Sequence, residues 1–114
     1  MITTLSGRSG AQYNFEVFEL GTSFNEVPCV YMYASNSLLL GYFPVYIGKT
    51  IHLQTRMNEH ANDGIERCAK NNHASHILVH RPSSKTEYAI NEEIEKIELD
   101  LLNAFNTPCN TQNN

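Results

Sequence analysis

The chain has 114 residues, a formal net charge of −4 and three cysteines. That length accommodates one domain spanning residues 1–114, with one core and no room for a second. No apolar run approaches the length of a membrane span and residues 1 to 20 lack the apolar block of a signal peptide, so a cytoplasmic protein without a membrane partner is expected.

In chain order, residues 1 to 10 are polar around Gly7 and Gly10 and are expected to be loose. Residues 12 to 20 alternate Tyr13, Phe15 and Val17 with Asn14 and Glu16, the pattern of a strand with one wet face. Residues 28 to 34 form a second strand, where Val30 and Met32 alternate with Tyr31 and Tyr33. Ser35, Asn36 and Ser37 break it, and Leu38 to Gly41 lead into a third strand around Tyr46. So short a break predicts an antiparallel hairpin.

The stretch that follows is the densest in chemistry. Val45 and Ile47 alternate with Tyr46, which predicts that the tyrosine faces away from the side the two aliphatics bury. On that parity the phenols of Tyr31 and Tyr46 lie on one side of the sheet. Gly48 reads as a sharp turn and Thr50 as the N-cap of a helix. Leu53, Met57 and Ala61 are its buried stripe, and Arg56 and His60, four apart, share a face beside it. One short unit thus presents a phenol, Lys49, a guanidinium and an imidazole. That set suits an anionic substrate and proton transfer near neutral pH.

Asp63-Gly64 ends or breaks the helix, Asn71-Asn72 is a turn, and residues 75 to 81 form another strand. His76 and His80 would share a face there, but no acid lies near them in sequence, and surface or sheet histidines are preferred over zinc. Ser84-x-x-Glu87 reads as a capping box opening a helix over residues 85 to 105. On a helical wheel, Ile90, Ile97, Leu101 and Phe105 lie within about 60° of Ile94. Glu98 falls at about 40°, inside that apolar arc. A lone carboxylate there is costly unless a cation meets it or it reaches solvent. Pro108-Cys109-Asn110 closes the helix region, and the last four residues are polar and expected to fray.

Cys29, Cys68 and Cys109 cannot all pair within one chain, and their spacing fits no zinc pattern, so they read as reduced thiols in a cytoplasmic protein. The charge is unevenly placed. Residues 49 to 85 carry six cations against three acids, or +3, while residues 86 to 114 carry one against six, or −5. The acidic total argues weakly against a nucleic-acid partner, but the basic middle of the chain begins inside its most reactive stretch.

Taken together, Cys29-Val30-Tyr31, Tyr46-Ile47-Gly48, Arg56-x-x-x-His60, Glu98 and Pro108-Cys109-Asn110 resemble the motif set of the GIY-YIG nuclease family. The resemblance covers about residues 28 to 110, and the ordered set is more specific than any one motif. It departs in two places: Cys29 stands where the family has its first glycine, and the gap from Tyr31 to Tyr46 is longer than in the most compact members. The fold it implies is α+β: a small, mainly antiparallel sheet with a three-stranded core flanked by helices, here with an extra N-terminal strand from residues 11 to 27.

What the resemblance implies for function is a divalent-metal-dependent endonuclease acting on nucleic acid, with DNA as the expected substrate. Glu98 would hold a magnesium or manganese ion. Tyr46 would help activate the attacking water, as base or through His60. A free phenol, with a pKa of about 10, is a poor base at pH 7, so Lys49 and the metal would have to lower it. Tyr31 would orient water or phosphate, Arg56 would bind the phosphoryl oxygens, and Asn110 would brace the site. Tyr31, Tyr46, Arg56, His60 and Glu98 are expected to converge on one cleft. The alternative is a nucleic-acid-binding or regulatory module without turnover, and a protein partner could supply targeting. A zinc-stabilised interaction domain would need the histidines to converge with Cys68.

Overall fold

A computed structural model describes residues 1–110. Five strands form one antiparallel sheet: β1 (Ile2–Ser6), β2 (Gln12–Glu19), β3 (Cys29–Ser37), β4 (Gly41–Thr50) and β5 (His76–His80), in the spatial order β1-β2-β5-β3-β4. Helices α1 (Leu53–Asp63) and α2 (Ile65–Asn71) connect β4 to β5, α3 (Glu87–Ala104) follows β5, and a 3-10 turn covers Pro108–Asn110. Among the described residues no helix is long and apolar enough to cross a membrane.

β3 is buried from Cys29 through Ala34 because it lies inside the sheet and both of its faces are covered. Val30, Met32 and Ala34 face α3, packing with Ile47, Leu78, Ile94, Ile97 and Leu101. Tyr31 and Tyr33 face the other way, among Leu53, Ile65 and Ala69 of the α1–α2 side. Burying each such aliphatic side chain contributes about 1.5–3 kcal/mol, so the two layers hold the sheet rigidly between the helices.

The α+β class, the β3–β4 hairpin and the added N-terminal strand are as expected; β2 extends the β5-β3-β4 core by pairing with β5. Several local expectations are corrected. Residues 2 to 6, too polar to read as a strand, form β1 because β2 offers them a backbone edge. β4 runs through Gly48 to Thr50 instead of turning at the glycine. Its register with β3 slips between Tyr33 and Ala34, so Val45 is an extra residue. This bulge breaks the period-two alternation. Val45 therefore joins the α1–α2 side with Tyr46, and of the two aliphatics only Ile47 faces α3.

Thr50 does not cap α1; its Oγ1 accepts the His52 N–H at 3.0 Å, and His52 occupies the cap position without a side-chain bond. In α1, Ala61 is exposed and His60 takes the buried place. Gly64, at φ 93°, ends α1 in the left-handed region that suits glycine. Helix α3 starts two residues later than the Ser84 capping box predicts. Its cap is Thr86, whose Oγ1 accepts from Ala89 N, while Ser84 bonds Glu93. Cys68 and Cys109 form a disulfide linking α2 to the 3-10 turn, so they are not the free thiols expected; only Cys29 is free, and burial pushes its thiol up to about 12. The inference from reduced thiols to a cytoplasmic setting loses that support. The expected fraying of residues 111–114 lies outside the described residues.

Candidate active site

The site is built where β3 and β4 lie side by side and α1 crosses their α1–α2 face. Tyr31 sits opposite Gly48 across the ladder. A Cβ at Gly48 would lie 2.5 Å from the Tyr31 oxygen, so glycine is there to let the phenol lie flat across the neighbouring strand. Tyr31 is fully buried, and an unpartnered phenol there would cost about 1–3 kcal/mol. Its partner is His60, whose Nε2 is 2.6 Å from the hydroxyl. His60 is itself fully buried, and its Nδ1 faces Asp63 Oδ2 at 3.1 Å.

The rings close around the imidazole. The Tyr46 centroid lies 5.1 Å from His60 at 73°, Tyr33 lies 5.9 Å away at 72°, and Tyr31 and Tyr46 are 6.1 Å apart. Of these three phenols Tyr46 is the half-buried one; the other two have almost no exposed surface. Arg56 stands at the mouth, with Nη1 donating to Glu59 Oε1 at 2.7 Å.

Burial pushes the Tyr31 phenol up, and Tyr46 adds to that, while the adjacent Arg56 guanidinium opposes it. Burial also pushes His60 down, with Arg56 adding to the effect and Asp63 opposing it. Burial alone would raise the Asp63 carboxyl, but the Ile65 N–H and His60 together hold it below its ordinary value. Arg56 is held fully charged, first by Glu59.

Tyr31, Tyr46, Arg56 and His60 thus come together. Lys49 and Glu98 do not join them. Strand parity places Lys49 on the α3 side with Ile47, the face opposite Tyr46. It lies beside Glu98 instead, and its charge favours that carboxylate while burial disfavours it. The expected single cleft is divided by β4, which is the edge strand of the sheet. Asn110 covers the outer edge of that strand: its Oδ1 accepts from Ile47 N and its Nδ2 donates to Ile47 O, each at 2.8 Å. These bonds fix the backbone between Tyr46 and Gly48.

The histidines of β5 are engaged elsewhere. His76 Nδ1 is 2.7 Å from the Ser75 hydroxyl, and His80 Nδ1 is 2.7 Å from the Asn14 carbonyl. With Cys68 in a disulfide, the zinc arrangement loses its thiolate, and no group of three or more possible metal-binding side chains occurs among the described residues. Asp63 was missed by sequence reading, where it served only to end a helix. Its separation of three from His60 is the signal that pointed to it.

The sequence pattern of the GIY-YIG catalytic domain matches residues 28–113. This chain belongs to the GIY-YIG family. Members of the family are endonucleases. The match begins just before β3, so β1 and β2 are additions to the GIY-YIG domain. Neither the comparison with curated proteins nor the comparison with solved structures gives a match.

Proposed function

We propose that this GIY-YIG protein is a divalent-metal-dependent endonuclease that hydrolyses phosphodiester bonds, with DNA as its substrate. The observation that carries the reading is the meeting of Tyr46, Arg56, His60 and Tyr31 on one sheet face within a chain of this family. Arg56 binds the phosphoryl oxygens as a planar fork, exchanging its Glu59 partner for phosphate. Tyr46, the phenol that reaches solvent, meets the attacking water. Tyr31 has no exposed surface and acts through its neighbours, holding His60 by hydrogen bond and flanking Arg56. Asn110 keeps the Tyr46–Gly48 backbone in place.

Glu98 is the residue that holds the ion. Its half-buried carboxylate carries a desolvation cost that a cation offsets, and a single carboxylate suits magnesium or manganese, which keep waters and take phosphate oxygens as further ligands. When bound, such an ion supplies charge stabilisation at the phosphate and the leaving oxygen. Lys49 adds a second positive charge on that side. The net charge of −4 keeps affinity for nucleic acid modest, or leaves targeting to a partner protein.

The acidity of the last 29 residues, at −5, favours one other reading, a nucleic-acid-binding or regulatory module without turnover. The two are separated by incubating the full chain with plasmid, branched DNA and structured RNA in magnesium or manganese, with a chelator control. Cleavage lost on chelation is expected. Retention of substrate without any cleavage, in either metal, would favour the silent module.

A further inference from the structure

We infer that Asp63 is a positioning residue that sets the direction of a hydrogen-bond chain running Asp63–His60–Tyr31 toward Arg56. This deepens the endonuclease reading and rests on it for its catalytic consequence.

The direction follows from which groups can donate. An ionised carboxylate only accepts, so the His60 nitrogen facing it at 3.1 Å carries the proton, and Nδ1–H donates to Asp63 Oδ2. A neutral imidazole has one proton, which leaves Nε2 as an acceptor. The Tyr31 hydroxyl, 2.6 Å away, therefore donates to it. With its proton committed to His60, the Tyr31 oxygen presents only lone pairs to the other side, where the Arg56 guanidinium lies. A cation that can only donate is thus matched with an oxygen that can only accept. Reversing His60 would make Nε2 donate to Tyr31 and leave the Tyr31 proton without its buried acceptor. It would also compete with Arg56 for the same oxygen.

Asp63 has a second task, and this separates a positioning role from a structural one. Its Oδ1 accepts the Ile65 N–H at 2.9 Å at the start of α2. Asp63→Asn keeps an oxygen for Ile65 but turns an NH2 toward His60 Nδ1, which must then accept, so the proton moves to Nε2. Asp63→Ser keeps a cap for Ile65 and presents no carboxylate. Asp63→Glu keeps the charge.

The test is long-range nitrogen–proton NMR of the His60 ring in the metal-free full chain, with steady-state cleavage beside it. The expected result is an Nδ1–H tautomer in the parent and in Asp63→Glu, and an Nε2–H tautomer in Asp63→Asn. In Asp63→Asn, kcat falls about a hundredfold, the scale of a misdirected proton-transfer group, with KM changing far less. Asp63→Ser retains helix α2 and loses the fixed tautomer. An Nε2–H tautomer in the parent, or an unchanged tautomer in Asp63→Asn, overturns the inference. So does a full rate in Asp63→Asn with the tautomer inverted. A parent that cleaves nothing, with the tautomers as stated, would strike the endonuclease reading and leave the hydrogen-bond chain intact.

Discussion

At the scale of single residues, two groups set behind Tyr31 and His60 shape the site: the missing side chain of Gly48 and the carboxylate of Asp63. Gly48→Ala places a Cβ 2.5 Å from the Tyr31 oxygen, on a side chain wedged in the core and unable to retreat. A loss of about 1–3 kcal/mol in urea denaturation is expected, as for overpacking elsewhere, together with a weakened Tyr31–His60 bond. An unchanged midpoint would mean that Tyr31 is looser than its burial indicates. His60 gives a pH dependence whose sign is set by its depressed folded-state value. The unfolded chain takes up a proton near its ordinary value of about 6.5, and the folded protein resists until lower pH. The contribution of His60 is therefore complete above about 6.5 and is lost as pH falls through the folded value. Denaturation midpoints from pH 7.5 to 5 should drop more steeply for the parent than for His60→Gln. Parallel slopes would show that burial of His60 does not carry the effect.

At the scale of elements, helix α3 brings an acid to the sheet from the side opposite the phenols. Ile94, Ile97 and Leu101 bury its inner face, and Glu98 rides beside them. Glu98→Gln keeps volume and a hydrogen-bonding oxygen but removes the charge that an ion needs. Cleavage in magnesium should fall by orders of magnitude, because such stabilisation is worth about several kcal/mol. The melting temperature should hold or rise, since a partly buried charge has been removed. Glu95→Gln, exposed one turn earlier, is the control and should cut at the parental rate. Equal rates in the two variants would refute Glu98 as the ion's ligand.

At the scale of the whole molecule, the Cys68–Cys109 disulfide joins residues 41 apart and ties α2 to the turn that carries Asn110. Closing a loop of that size stabilises by up to about 4 kcal/mol through the entropy of the unfolded chain. Cys68→Ser should lower the melting temperature, and amide exchange at Ile47 should quicken, because Asn110 loses its anchor. Identical melting curves for oxidised and reduced parent would show that core packing alone holds the turn. The N-terminal hairpin adds a second brace, since Ser9 and Tyr13 both donate to Asp100 on α3.

The sequence by itself determined what depends on local pattern. Alternation along β2 and β3, the hairpin and the helical stripe of α3 follow from side-chain period, and the ordered motif residues were enough to indicate the family. The sharing of one sheet face by Tyr31 and Tyr46 was legible too, because the register is regular from Thr50 back to Tyr46 and the bulge displaces only Val45. Tertiary structure decided whatever depends on a partner distant in sequence. Residues 2 to 6 became a strand only because β2 offered an edge. Gly48 proved to make room for Tyr31, seventeen positions earlier, in place of making a turn. Cys68 found Cys109, and His60 displaced Ala61 from the buried stripe because its two nitrogens found partners in Tyr31 and Asp63. Periodicity reports which side of an element is buried; which polar atoms meet there is settled by the registers and crossings that only the assembled sheet and helices possess.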